Sequence, residues 1–174
     1  MAHRHQRILA LDIGELRTGL ALAAVPTSVT NQNLVSTGMT GQAHPFQVID
    51  TQQIIANNKL LAEIIEDYEV ASIVIGLPLL ADGTEGKQAR RVRSLATKLL
   101  TGIVDCEQPM QHANVTDYPN DSVPKIIFFD ERQSSKLAKD AGHSIGLSEK
   151  NMRGKLDAHA AAAFLQNYLD TIDS

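Results

Sequence analysis

Hydrophobic and polar residues follow one another in blocks whose period changes several times along the chain. Residues 8–14 (ILALDIG) form an apolar run broken by one acid, and residues 18–25 (TGLALAAV) resume it after a short polar link containing Gly14 and Arg17. This predicts a strand, a tight turn and a second strand. Residues 27–42 are polar and irregular around Val35 and Met39, which predicts a third, edge strand closing a meander. Over residues 50–67, Ile54, Leu61 and Ile65 recur at helical spacing, with Leu60 and Ile64 widening the same face, so one helix is expected there.

Residues 70–76 (VASIVIG) read as a short buried strand, ending in Gly76, Leu77 and Pro78 before a loop that carries Asp82, Gly83, Thr84, Glu85 and Gly86. A second helix is expected over residues 87–103, with Ala89, Val92, Ala96 and Leu99 inward. Residues 101–124 hold prolines, asparagines and acids without periodicity and read as a long exposed loop. Residues 125–129 (KIIFF) give another strand, followed by a short helix near 134–141. A loop over 142–155 and an alanine-rich helix over 156–170 complete the chain. The order β-β-β-α-β-α-β-α-α predicts one α/β domain spanning residues 1–174, with three layers and a mixed central sheet flanked by helices.

At 174 residues, with 43% hydrophobic and 21% charged positions, the chain has the composition of an ordinary globular domain. No apolar run is long enough to cross a bilayer, so no membrane role is expected, and a cytoplasmic location follows as the expectation. The single Cys106 agrees with a reducing compartment. Residues 1–7, with His3 and His5, read as a flexible polar tail. The net charge of −4 excludes a basic surface overall, so any phosphate contact has to come from a local patch.

Three acids lie in surroundings that give them chemical interest. Asp12 interrupts a buried strand, where an ionised carboxylate is costly without a cation or donors; the alternative is an aspartate capping the Gly14 turn. Glu131 follows the end of the strand over 125–129, where α/β sheets present ligand-binding groups, although the Asp130, Glu131 and Arg132 run also suits a surface ion pair. Asp157 is expected to open the last helix, either brought onto the sheet by the small alanines that follow or simply favoured by the helix dipole. His159 is about 200° around that helix from Asp157 and is not expected to share a ligand with it. Carboxylates suit Mg²⁺ or Mn²⁺, and a pair of such ions supports in-line cleavage of a phosphodiester.

On the helix from Lys87, the residues Lys87, Arg90, Arg91, Ser94 and Lys98 share one face. Such a stripe reads either as a solvated helix face or as a phosphate-binding one. Arg17 and Arg132 stand closer in sequence to the acids and are the better candidates to meet a scissile phosphate, or else to neutralise a neighbouring acid. Aromatic residues are only 4%, which favours backbone and shape recognition over base stacking.

Four collinear blocks resemble one family. They are LALDIGELRTGLALA (9–23), IVIGLPLLADGTEGKQARRVRSLATKL (73–99), FDERQSS (129–135) and KLDAHAAAAFLQNYLD (155–170). In these the chain resembles the YqgF family, described as Holliday-junction-resolvase-like proteins or pre-16S ribosomal RNA nucleases. The resemblance implies a ribonuclease-H-like fold in which Asp12, Glu131 and Asp157 converge as catalytic and metal-binding acids. It further implies nuclease activity in maturing the 5′ end of small-subunit ribosomal RNA during ribosome biogenesis. The expected partner is precursor ribosomal RNA or a pre-ribosomal particle, with branched DNA as the alternative substrate. Three features depart from the family pattern: Leu22, Ala23 and Ala24 stand where relatives often carry a Ser-Asp pair, residues 101–124 look inserted, and KNMRGK (150–155) is less basic. Two readings from other classes remain: a noncatalytic RNA-binding assembly factor, and an actin-like phosphotransferase using the Asp-x-Gly turn.

Overall fold

The computed structural model describes residues 4–30, 33–36, 41–103, 124–130 and 149–172. The strand β1 (Arg4–Ile13) turns into the long β2 (Arg17–Thr30), which pairs antiparallel with β1, with β3 (Asn33–Ser36) and with β4 (His44–Asp50). Two short helices follow, α1 (Thr51–Ala56) and α2 (Lys59–Asp67). Next come β5 (Val70–Leu77), α3 (Lys87–Leu100) and β6 (Lys125–Asp130), and β5 lies parallel to β1 and to β6. The last described element is α4 (Glu149–Ile172). The sheet order is β3-β2-β1-β5-β6, with β4 beside β2.

Strand alternation sorts the side chains into two cores. Leu9, Leu11 and Ile13 of β1, with Ile73 and Ile75 of β5, face α1, α2 and α3. Ile8 and Ala10 of β1, Ala21 and Ala23 of β2 and Val74 of β5 face α4, packing on Ala161, Ala162, Phe164, Leu165 and Leu169. The result is the expected α/β class, three layers around a mixed sheet.

Several elements differ from the sequence expectation, each for a physical reason. Residues 4–7 belong to β1 instead of a free tail: Arg7 Nη1 donates to the Tyr68 carbonyl at 2.9 Å, and Gln6 Nε2 donates to Ser72 Oγ at 3.3 Å. A fourth strand, β4, lies along β2; it is an edge strand whose outer positions are solvated, and Pro45 sits at a register shift in the ladder, where a missing N–H is tolerated. The helix over 50–67 is split, because Asn57 ends α1 and its Oδ1 accepts from Lys59 N at 3.1 Å to restart α2. The break rotates Leu60 outward, leaving it 42% exposed. The helix expected from 156 begins at Glu149, so part of the expected loop is helical. The short helix near 134–141 and most of the 101–124 loop lie outside the described residues.

The β1–β2 turn is braced from behind by α1. Gly14 N donates to the Arg17 carbonyl at 2.9 Å, and a Cβ at Gly14 would stand 2.7 Å from that oxygen, so a side chain there would block closure. Thr51, fully buried at the start of α1, donates from Oγ1 to the Gly14 carbonyl at 2.9 Å and lies 2.9 Å from the buried Thr18 hydroxyl. Thr51→Val leaves the buried Thr18 hydroxyl and the half-buried Gly14 carbonyl without that partner and is expected to cost about 1–3 kcal/mol in urea unfolding. Removing both hydroxyls (T18V/T51V) is expected to cost less than the sum of the single changes.

Candidate active site at the strand ends

Parallel β1, β5 and β6 finish at one edge of the sheet, the edge at which α/β proteins hold ligands. Asp12 is the next-to-last residue of β1 and has the parity of Ile8 and Ala10, so it points to the α4 side. Its ladder partner on β2 is Gly19. A Cβ at Gly19 would fall on the backbone carbonyl of Asp157, so the missing side chain lets α4 lie directly on the sheet beside Asp12. The alanines of α4 supply the other half of this close approach, with Ala158 and Ala161 buried.

That packing sets the electrostatics. Burial under α4 pushes the Asp12 carboxyl up to about 6, and the negative charge of Asp157 pushes the same way. Asp157 is also raised, by its own desolvation, against the opposing pull of Arg17. Arg17 Nη1 stands 3.9 Å from Asp157 Oδ2, with both side chains more than a third exposed, so the pair is too long and too wet to overcome burial. Asp157 lies two turns inside α4, which removes the helix-start explanation for it. Two neighbouring carboxylates, each held above its ordinary range, form a site in want of positive charge.

The other expected site residues fall as follows. Arg17 lies beside Asp157 as described. Lys87, Arg90 and Arg91 are exposed at the start of α3. Arg91 pairs with Glu15 of the β1–β2 turn at 2.5 Å, and Arg90 Nη1 donates to the Glu85 carbonyl at 3.0 Å. These contacts hold the first turns of α3 at the acid-bearing edge, while Lys98 lies near the opposite end of the helix. Glu131 and Arg132 lie outside the described residues, and among the described residues no three His, Cys, Asp or Glu side chains gather around one point.

Sequence reasoning passed over Gly19 and Arg93. Gly19 had a usable signal, being the one position of the β2 apolar run without a side chain. Arg93 falls in phase with Ala89, Val92, Ala96 and Leu100, an arginine inside an apolar stripe, and it is buried.

Asp12 favours the folded state when protonated, so the sign of its pH dependence is fixed. Its folded pKa of about 6 exceeds the ordinary aspartate value of 3.8, so its contribution is fully present below about pH 4 and is lost as pH rises through 6. The difference amounts to about 3 kcal/mol between those limits. Chemical denaturation of the metal-free protein across this range, wild type minus Asp12→Asn, is expected to show a loss of that size. A flat difference would contradict it.

An antiparallel meander continued by parallel strands, with Asp12 at the carboxyl end of β1 and Asp157 on the helix that covers it, defines a three-layer α/β protein with an acidic site at one edge of its sheet. The chain belongs to the family described as RuvX: Holliday junction resolvase, whose model matches residues 6–171. It is 34% identical over 164 residues to a protein of Anaeromyxobacter sp. (strain Fw109-5) named "Putative pre-16S rRNA nuclease", covering 94% of this chain and 96% of the relative. A Sulfurihydrogenibium sp. (strain YO3AOP1) protein of the same name is 32% identical, with 95% and 91% covered. Among solved structures the chain is similar to T. thermophilus RuvC in complex with Holliday junction substrate, at 12% identity and a TM-score of 0.49, covering 96% and 95%. Among the described residues no helix is long and apolar enough to cross a membrane.

Proposed function

We propose that this protein is a divalent-metal-dependent endonuclease that processes the 5′ end of precursor 16S ribosomal RNA in the cytoplasm, alone or within a pre-ribosomal particle. The observation that carries this reading is the desolvated Asp12 beside Asp157 at the strand ends. Oxygen donors alone, in a partly water-excluded site with excess negative charge, fit Mg²⁺ or Mn²⁺ and suit no softer metal. Asp12 and Asp157 would hold the metal, with Glu131 as the third carboxylate. Support for Glu131 comes from the resemblance of residues 129–135 to the family's Asp-Glu-Arg segment, which follows directly on β6 in the chain. Between β1 and β6 runs β5, whose residue on the α4 side near the level of Asp12 is Gly76, which carries no side chain.

When bound, the metal supplies activation of the attacking water and charge stabilisation at the phosphate. The chain's own residues do the rest. Arg17, at 3.9 Å from Asp157, would take the scissile phosphate, and Arg132, next to Glu131 in sequence, is proposed for the same task. Lys87, Arg90 and Arg91 extend the positive charge along the backbone of the bound strand. Their engagement with Glu15 and Glu85 orients the arginines before any RNA arrives.

The test is cleavage of a precursor-like RNA in Mg²⁺ or Mn²⁺ by wild type beside the Asp12 variant, with equal cutting by both counting against the assignment. The family description favours a second reading, cleavage of branched DNA by the same acids. Competition between precursor RNA and a four-way DNA junction separates the two. Salt-sensitive RNA binding with no cleavage, indifferent to metal and to loss of the acids, would instead identify a noncatalytic assembly factor.

A further inference from the structure

Of the exposed large apolar side chains among the described residues, Leu16 at 75% and Leu80 at 51% are the two most exposed, and both stand at the acid-bearing edge of the sheet. Leu16 is in the β1–β2 turn and Leu80 in the loop between β5 and α3, the connections that follow two parallel strands. A lone exposed leucine needs no explanation, because much of any protein surface is apolar. These two differ in being presented by backbone that is already fixed. Every carbonyl of the turn is engaged: Thr51 Oγ1 donates to that of Gly14 at 2.9 Å, Gln52 Nε2 to Glu15 at 3.4 Å, Thr51 N to Leu16 at 3.0 Å and Gly14 N to Arg17 at 2.9 Å. Leu80 N donates to the Thr84 carbonyl at 2.9 Å, and the Leu80 carbonyl accepts from Gly83 N at 2.8 Å. The Leu80 side chain rests on Gly86, the cap of α3, where a Cβ would stand 2.9 Å from Leu80 Cδ2. Arg91, five residues on and so about 7 Å along the axis, pairs with Glu15 next to Leu16. The two leucines therefore bracket the basic first turns of α3, and Leu16 also adjoins Arg17, which stands 3.9 Å from Asp157.

Cations alone account for phosphate binding, and they need no apolar neighbour for it. A leucine gains on binding only where it meets an apolar surface, and in a nucleic acid the largest such surface is the face of a base. In an RNA duplex those faces are stacked inside, and the accessible minor groove offers hydroxyls and base edges; in an unpaired strand the faces are open. Leucine is among the side chains that wedge between bases. We propose that Leu16 and Leu80 are substrate-contact residues, which pack on bases of an unpaired RNA segment while Arg17, Lys87, Arg90 and Arg91 hold its phosphates. The site thereby selects an unpaired segment over a duplex. Because both loops are fixed before RNA arrives, little ordering of the protein opposes the contact. The choice of RNA rests on the nuclease reading, and the grip on its bases rests on the two leucines.

The experiment measures binding without metal to three probes of equal length: an unstructured RNA oligonucleotide, its perfect duplex, and a strand from which the bases have been removed. The double variant Leu16→Ser with Leu80→Ser is expected to bind the unstructured RNA about tenfold more weakly than wild type, and the duplex and the base-free strand within about twofold. In cleavage of the unstructured RNA its KM should rise about tenfold with kcat within about twofold, the mark of a contact made equally before and during reaction. Leu16→Met with Leu80→Met, which keeps an apolar contact, should restore both values. Leu16→Ser alone, at a side chain that is mostly in water, guards against a disturbed loop and should weaken binding about threefold. Ile172→Ser, at another exposed apolar position about 20 Å along α4 from Asp157, should change nothing. An equal loss on all three probes, or no loss on the unstructured RNA, overturns the proposal, and a wild type that binds none of them overturns it together with the nuclease reading. If wild type binds RNA and cuts none, the nuclease reading alone fails, and the comparison of probes still decides the part played by the leucines.

Discussion

Asp12→Asn is expected to lower RNA cleavage about 10³-fold, the equivalent of about 4 kcal/mol of transition-state stabilisation, and yet to make the metal-free protein more stable. Both effects have one origin. Burial beneath α4 and the charge of Asp157 oppose ionisation of Asp12 in the absence of a cation, so the ionised site is strained at neutral pH. Asn keeps the shape and removes the charge. At about pH 8, where the wild-type carboxyl is ionised, the variant should gain about 2–3 kcal/mol in denaturant unfolding, and at about pH 4 almost nothing. Added Mg²⁺ or Mn²⁺ should raise the melting temperature of wild type and leave the variant nearly unmoved, because only the ionised pair binds the ion more tightly when folded. A variant that cuts RNA as wild type does, or one destabilised at alkaline pH, would break the link between burial and catalysis. The opposed signs guard against a trivial result, since a variant that fails through misfolding cannot also be the more stable protein.

How much of this was legible in the sequence depended on whether a residue's environment is set locally. The apolar run of β1 and its interruption by Asp12 are local, and the strand and its odd acid could be read directly. The same holds for β5 and for the inward face of α3, whose Ala89, Val92, Ala96 and Leu99 are buried as their spacing predicts. The strand β4 was not legible because an edge strand with solvated outer positions has no strong alternation, and its place is fixed by pairing with a distant part of β2. The break between α1 and α2 was hidden by an apolar period that survives on both sides of two asparagines.

In the site, the type of residue was readable and the arrangement only partly so. The alanines after Asp157 announced a helix lying close on something, yet the surface it lies on, Gly19, is nearly 140 residues away in the chain. The start of α4 was misjudged because Gly154 weakens the helical signal upstream of Asp157, although the helix runs through it. Arg93 was masked by its neighbours: in a segment reading Lys-Gln-Ala-Arg-Arg-Val-Arg, a buried arginine differs from exposed ones only by phase. The basic stripe itself was correctly placed as an outer face, with the added finding that its N-terminal end, and not its whole length, reaches the acids' edge of the sheet.

The clearest mechanical test of the site falls at Gly19. Gly19→Ala adds a single methyl group whose position coincides with backbone of α4 at Asp157, and neither the strand nor the helix backbone can move aside alone. The helix has to lift, giving up contacts of Ala158, Ala161 and Leu165 with the sheet, at a cost of about 2–3 kcal/mol in urea unfolding. A helix lifted by about 1 Å carries Asp157 with it, and a displacement of that size is expected to slow cleavage about 100-fold. It also admits water to Asp12, so the pH dependence seen in wild type should shrink towards that of an ordinary aspartate. Ala21→Gly, which removes a methyl from the same face of β2 two residues on, makes the control: it should cost stability by loss of packing while leaving the titration of Asp12 where it was. A Gly19→Ala protein with wild-type stability and an unshifted Asp12 would show that α4 does not press on the sheet at this point, and the burial that makes Asp12 unusual would need another cause.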